Sequence, residues 1–478
     1  MRLTVRDYFK YTSWPIIAAG AALIVIGVLT IHTSEISRQG GVNWQKQIIW
    51  ACAGVTAFWL ATFVPYQGVG RAAYVIFGAT LVLLLAVFLF PATRHSHRWI
   101  PLGIGVKLQP AEAAKLAFVI LLAWYLRRGE HYRRPRGLIV PFVLTFVPMG
   151  LILKEPDLGT SLVFVPTLYV MLFMAGAKLR HLLSIMAVAT AILLLPIPWR
   201  VPPPPAPPAA EPVQLAEGRT EPTEAQLAEA EQLANEAAFR RRVAMTAYED
   251  FVNGHMSVAY GSFEVGGMRY AVLAAPLLMI ESHQLERVEG WLHQGDPGVT
   301  RRIGMQLRRS KMTLGSGRWG GWGNWHEKHA FFDMLPDDHT DFIFAVIGGR
   351  WGLAGCVGVL ALYAVIVVFG LEIAVITADP FGRLLAIGVV VLLVGQVVIN
   401  MGMAMGLMPI TGMTLPLVSY GGSSLVMNCA ALGLLVNVGQ RRPIMLGRKP
   451  FEYGQPADKP HAYEPIAKKY REQANEWK

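Results

Sequence analysis

The chain has 478 residues, 53% hydrophobic and 16% charged, with a net charge of +11 and a mean hydropathy of +0.40. Soluble domains carry about a quarter charged residues, so this balance excludes an ordinary soluble globule and points to a bilayer. The basic residues lie in short segments between apolar runs rather than in one basic domain, which argues against nucleic acid and for anionic membrane lipid as their counterpart.

Ten apolar runs reach or approach the roughly 20 residues that a spanning helix needs. They lie near 14–32, 45–64, 71–90, 110–127, 138–153, 159–176, 180–198, 341–372, 382–408 and 424–440. The first follows a charged start as a signal peptide would, but it is long and lacks a small-residue cleavage site, so it reads as a retained span. The expected fold is an all-α polytopic membrane protein. Spans one to seven fall in 1–198, a large outer loop in 199–340, spans eight to ten in 341–440, and a basic tail in 441–478. Cys52, Cys356 and Cys429 sit in apolar stretches without Cys-x-x-Cys spacing, so they read as packing residues.

Short cytoplasmic loops retain Lys and Arg. Arg127, Arg128, Arg133, Arg134 and Arg136, and the tail with Arg441, Arg442, Arg448 and Lys449, are therefore expected inside, together with both termini. Arg94, Arg98 and Lys107 run mildly against this assignment. The outer loop holds a stiff Pro-rich stretch, Pro202 to Pro208. A helix is expected from Thr223 to about Val243, with Thr223 and Gln226 in capping-box spacing and Arg240 to Arg242 at its end.

Four groups carry ionisable or polar residues beside spans, where such residues are costly unless they face a cavity or one another. In Gln109–Lys115, Pro110 suits a helix start, and Glu112 and Lys115 share a face as an ion pair or a site. In Lys154–Thr160, Asp157 is placed to cap the sixth span or to bind a ligand. In Leu335–Phe344, acids meet a helix start; Asp341 is followed directly by apolar sequence, and partial burial would suit it to accepting a proton. In Pro416–Ser424, Gly421 and Gly422 permit either a tight turn or amide donors aimed at an anion. His326, His329, Asp333 and His339 match no zinc spacing, so no metal site is assigned. Trp319, Trp322 and Trp325 suit sugar stacking or, more commonly, interfacial anchoring.

Together and in this order, these groups resemble the SEDS family (shape, elongation, division and sporulation), the RodA and FtsW proteins of bacterial wall synthesis. The resemblance runs from about Trp14 to Pro443. It includes Arg98-Trp99-Ile100, Gly315-Ser316-Gly317, Thr411–Ser424 and, slightly favouring RodA, Gln284–Pro297. It fails over about 200–270, read as an insertion. The resemblance implies a peptidoglycan glycosyltransferase of the bacterial cytoplasmic membrane that polymerises lipid II, an undecaprenyl-pyrophosphate-linked disaccharide-peptide, beside a class B penicillin-binding transpeptidase.

By that resemblance Asp341 is the catalytic residue. Arg98, Gln109, Glu112, Lys115, Asp157, His339, Thr340, Ser419, Gly421, Gly422 and Ser423 would bind substrate. Lys115, Arg98 or a divalent cation would neutralise the leaving pyrophosphate; no cofactor is otherwise implied. The chain departs from the family at Gly349 and Arg350, where two acids are usual, and at Trp325–His329 and Arg309. A lipid-substrate transporter would also use intramembrane charges and broken helices. A non-catalytic scaffold would not need Asp341.

Overall fold

The computed structural model describes residues 11–37, 42–90, 98–103, 106–128, 131–155, 157–193, 196–200, 245, 261–265, 268–274, 282–296, 304–322 and 339–441. The Pro-rich stretch, the helix expected over Thr223–Val243, Arg94, Trp325, the group His326, His329 and Asp333, the segment Leu335–Asp338, and the tail beyond Arg441 lie outside them.

Helices occupy all ten apolar runs. They are α1 (Trp14–Ser37), α2 (Asn43–Phe63), α3 and α4 (Tyr66–Arg71 and Ala73–Ala86), α5 (Pro110–Leu126), α6 (Ile139–Lys154), α7 and α8 (Leu158–Leu162 and Phe164–Ala175), α9 (Leu179–Leu193), α12 (Ile343–Ile376), α13 (Pro380–Met405) and α14 (Gly422–Gln440). Between them, in the outer loop, lie α10 (Ser282–Leu292) and α11 (Met305–Ser316). Among the described residues six helices are long and apolar enough to cross a membrane. The other runs are short, divided, or carry charges such as Glu112 and Lys115 in α5.

The expected seventh span, 180–198, ends early. Its helix stops at Leu193, and Pro196–Arg200 becomes strand β3, because Pro196 and Pro198 cannot donate to a helical ladder. Proline is tolerated on an edge strand, and β3 is one. It pairs antiparallel with β5 (Met268–Ala274), Pro196 facing Ala274 and Arg200 facing Tyr270, and β5 pairs with β4 (Gly261–Val265). The far end of the stretch taken as insertion is therefore a sheet strand joined to the end of the seventh span. A shorter hairpin, β1 (Ile100–Gly103) with β2 (Val106–Leu108), leads into α5.

Among the described residues one large apolar cluster makes up most of the core, with a smaller one of Leu307, Phe342, Met403 and Ile410, and α5, α13 and α14 are the most enclosed helices. Close approach is achieved with small residues, as is usual where lipid offers no hydrophobic drive. A Cβ on Gly54 would lie 2.9 Å from Cys429 Sγ, and one on Gly433 only 2.4 Å from the Phe58 carbonyl, so α2 and α14 are in near-backbone contact. Asn437 on α14 donates to the carbonyls of Ala61, Thr62 and Val64, and Arg441 donates to those of Thr62 and Phe63, capping the C-terminus of α2. Of the three cysteines, Cys356 and Cys429 are buried as expected, whereas Cys52 is exposed on the bundle's outside.

Helix α12 is the feature that most shapes the molecule. Its 34 residues would span about 51 Å as one rod, against roughly 30 Å of hydrocarbon. It is broken at Gly352, where φ is +64°, into a buried half-helix over 343–351 and a long span. The amides freed by the break are satisfied from outside the helix: Leu353 N–H donates to the Arg318 carbonyl at 2.8 Å and Ala354 N–H to that of Trp319 at 3.1 Å. The segment after α11 can approach this closely because Gly317 and Gly321 lack Cβ atoms; a Cβ on either would meet the Gly348 or Arg350 carbonyl at 1.8 Å.

Gly352→Ala is expected to destabilise the fold by at least about 1–3 kcal/mol, since it adds left-handed strain and a contact 2.5 Å from Gly321 N and Trp319 C. Gly358→Ala, on the same helix with open space around its Cβ position, should cause no loss. Thermal unfolding midpoints of the two variants in one detergent check the pair; equal midpoints would mean that the break carries no strain.

Candidate functional site

The site gathers at the end of the bundle where α5, α7, α14 and the half-helix of α12 begin. Asp341 lies two residues before the half-helix, half-buried, with the buried Phe342 as N-cap. Its surroundings are fixed through main-chain atoms. Asn400, in the middle of the apolar α13, donates through Nδ2 to the Asp341 carbonyl at 2.9 Å and to the Met413 carbonyl. Ser419 Oγ donates to the Thr340 carbonyl at 2.6 Å and accepts from Leu415 N–H at 2.8 Å. Tyr420 N–H donates to the His339 carbonyl at 2.9 Å, and the rings of His339 and Tyr420 meet edge to face. The segments 339–341 and 411–420 are thus one clamped unit, and Asp341's carboxylate projects from it beside the positive end of a helix dipole.

A guanidinium borders the same space as that carboxylate. A methyl group placed on Gly412 would lie 3.4 Å from Asp341 Oδ2 and 3.8 Å from Arg287 Nη1, so both border the same small space. Arg287 is on α10, which is held in place by neighbours: Trp291 Nε1 and Gln294 Nε2 donate to the Gly406 carbonyl at 3.2 and 3.0 Å. Burial lowers Arg287 from the usual arginine range and nearby Arg98 adds to the fall, while Asp341 and Asp157 oppose it.

Asp157 caps α7, its Oδ1 accepting from Thr160 N–H at 3.1 Å and its Oδ2 from Thr160 Oγ1 at 3.0 Å; Oδ2 also accepts from Gln109 Nε2 at 2.9 Å. Gln109 N–H in turn donates to Ser423 Oγ, and Ser423 Oγ donates to the Lys107 carbonyl, both at 3.2 Å. This tether ties the starts of α5, α7 and α14 together. Arg98 Nε donates to the Glu155 carbonyl at 2.9 Å. The Glu155 side chain is fully buried and neither carboxyl oxygen has a hydrogen-bond partner. Burial raises its pKa to about 8, with Asp157 pushing the same way and Arg98 opposing.

Not every expected residue converges on Asp341. Lys115 Nζ is buried in a 2.9 Å ion pair with Glu112 and a 3.1 Å hydrogen bond to Gln396 Oε1. Gln396 lies 3.5 Å from Asn428 Oδ1, and Asn428 donates to the Ser424 carbonyl. This polar chain joins α5, α13 and α14 inside the bundle. Gly422 is required by packing: its Cβ would overlap the Trp50 ring at 2.1 Å. Gly421 makes only ordinary contacts. Trp322 donates to the Ser316 carbonyl and packs on Val346, whereas Trp319 is exposed.

Arg287, Glu155, Gln396 and Asn400 were not singled out from sequence. The two amides had a readable signal, being polar residues inside an apolar span. Arg287 lay within the family-like segment Gln284–Pro297 without a role of its own, because its position depends on how α10 folds back toward Gly406.

Between about pH 4.5 and about pH 8, the unfolded chain releases the Glu155 proton while the folded chain keeps it. Stability from this group is therefore complete below the window and lost as pH rises through it. Glu155→Gln keeps the shape and removes the titration, so its unfolding midpoint should fall less steeply across that window than the wild type's. Parallel profiles would mean that Glu155 does not titrate there.

The sequence and fold match known proteins over most of their length. The FtsW/RodA/SpoVE family model, described as cell cycle protein, matches residues 12–201 and 252–443. The chain is 30% identical over 433 residues to the peptidoglycan glycosyltransferase RodA of Treponema pallidum (strain Nichols), covering 88% of this chain and 96% of that one. It is 27% identical over 429 residues to the peptidoglycan glycosyltransferase MrdB of Escherichia coli (strain K12), covering 89% and 92%. A chain of the solved assembly described as "Structural coordination of polymerization and crosslinking by a peptidoglycan synthase complex" superposes with a TM-score of 0.63 at 25% identity, over 90% of this chain and 97% of that one. The rod shape determining protein RodA of Thermus thermophilus superposes with a TM-score of 0.55 at 24% identity, over 90% and 97%, a likeness of fold. With the family model covering both halves of the bundle, the chain belongs to the FtsW/RodA/SpoVE family of membrane-embedded peptidoglycan glycosyltransferases.

Proposed function

We propose that the chain polymerises lipid II by an inverting glycosyl transfer at the outer end of the bundle, with Asp341 as general base. The observation that carries this is the placement of the Asp341 carboxylate and the Arg287 guanidinium on one small space, in a segment held by Asn400, Ser419 and Tyr420. Asp341 takes the proton of the acceptor sugar's 4-hydroxyl as that oxygen attacks the donor's anomeric carbon. The bond from that carbon to the lipid pyrophosphate breaks, and its electron pair leaves on the phosphate oxygen.

The developing charge on the pyrophosphate calls for fixed cations. In this reading Arg287 and Arg98 supply them. Lys115, already neutralised by Glu112, acts as a brace between helices and holds the start of α5. Gln109, Asp157, Ser423 and the 339–341 and 419–423 segments position the substrate through the tether described above. A divalent cation bound with the substrate's pyrophosphate would aid the leaving group in the same way. On the positive-inside pattern the basic loops favour a reaction at the outer face, with Arg127–Arg136 and both termini inside. The class B transpeptidase is the expected companion, and the segment over about 200–270 is the loop region available to distinguish this chain's partner.

Purified protein with its transpeptidase and a divalent ion, given labelled lipid II, should yield glycan polymer on a gel. Asp341→Ala should yield none while folding normally, and Arg287→Gln should lower kcat by about 10²–10³. A fully active Asp341→Ala variant would remove Asp341 as the base. A wild type without polymer under these conditions would favour the scaffold, or, if lipid II crosses a vesicle membrane unchanged, the transporter.

A further inference from the structure

On the opposite side of the bundle from the site, the N-terminal half of α6 and the start of α9 diverge. Between them lies a groove of about 480 Å³, floored and walled by Leu138, Ile139, Phe142, Phe146 and Ile185. That volume is in the range of built small-molecule sites, about 300–1,000 Å³. Phe142 stacks on Phe146 at 5.8 Å and meets Tyr169 edge to face at 5.9 Å, so aromatic contacts shape the furrow, whose lining residues Ile139, Val143 and Phe146 are themselves exposed.

One end of the groove, its mouth, is flanked in sequence by basic residues. Pro135 lines it between Arg134 and Arg136. Across the mouth, α9 begins beside Lys178 and Arg180, two turns before the lining residue Ile185. All four basic side chains are exposed, and among the described residues none has an acidic partner. The loops carrying them join the same ends of α5, α6, α8 and α9, so apolar walls and unneutralised cations meet at one level.

We propose that this groove is a binding site for an anionic glycerophospholipid of the inner leaflet, one acyl chain lying along Phe142 and Phe146 and the phosphate held by Arg134, Arg136, Lys178 and Arg180. The amphipathic arrangement selects the occupant. A neutral headgroup would leave four cations unpaired, and a soluble phosphate would leave the apolar walls uncovered. Basic pockets between spanning helices are general recognition sites for anionic lipid. The site requires no assumption about the reaction at Asp341. It would give the protein a structural lipid that fastens α9, the most loosely attached span, to α6.

The test uses the full chain in detergent, titrated with phosphatidylglycerol or phosphatidylcholine and read by native mass spectrometry. Wild type should retain phosphatidylglycerol about tenfold more tightly than phosphatidylcholine. Replacing Arg134, Arg136, Lys178 and Arg180 together by Gln should remove that preference. Val143→Trp, which fills the groove and leaves the cations in place, should also weaken phosphatidylglycerol at least about fivefold, with the thermal midpoint confirming that each variant is folded. Equal retention of the two lipids by wild type would overturn the proposal. So would loss in the Gln variant with none in Val143→Trp, because that result describes surface attraction without a site.

Discussion

A break in a helix inside a bilayer is tolerated only when protein groups satisfy the amides and carbonyls that the break releases, because hydrocarbon offers no water to do so. The rest of this structure follows from how that constraint is met at Gly352. The carbonyls of Arg318 and Trp319 take the freed amides, glycines at 317 and 321 let them approach, and α11 is thereby held against the bundle. Its Ser310 hydroxyl donates to the Ala404 carbonyl at 2.8 Å, adding α13 to the same contact. Asp341 stands two residues before this short, enclosed half-helix.

The departures from the family pattern at 349 and 350 find a physical role in this arrangement. Arg350 is the last residue but one before the break. Its Nη1 donates to the Leu29 carbonyl at 2.9 Å and to Thr33 Oγ1, and its guanidinium lies 4.6 Å from the Trp351 ring centre. It therefore fastens the half-helix to α1. An acidic residue could not donate to those oxygens, so the exchange of charge alters how α1 is held and leaves the Asp341 end untouched. Gly349 is consistent with the same packing, its Cα being 3.1 Å from a Cβ built on Gly317.

The polar residues of the bundle divide into two sets. One consists of Glu112, Lys115, Gln396 and Asn428, which satisfy each other in the interior; such a paired set specifies how α5, α13 and α14 align, since removing one partner would leave a buried charge or amide unmatched. The other consists of Arg98, Glu155, Asp157, Arg287 and Asp341, ionisable residues near the starts of α5, α7 and the half-helix, of which Glu155 has neither carboxyl oxygen hydrogen-bonded. Burying the Glu155 carboxyl without hydrogen-bond partners costs stability.

The sequence alone determined the class of protein, the ten apolar runs and the family, and it singled out Asp341 as a candidate, because hydrophobic length and order along the chain are properties of neighbours in sequence. It also gave both roles for Asp157 without choosing between them, and the cap on Thr160 is what the fold made of it. What only the tertiary structure decided depends on contacts between distant segments. Lys115 faces Gln396 rather than the Asp341 space, α9 ends where Pro196 enters a sheet with residues some seventy positions away, and Arg287 borders the Asp341 space because Trp291 and Gln294 anchor the α10 segment on Gly406. None of these follows from a local pattern, since the same side chains at the same spacing would be satisfied by several partners, and packing selects one.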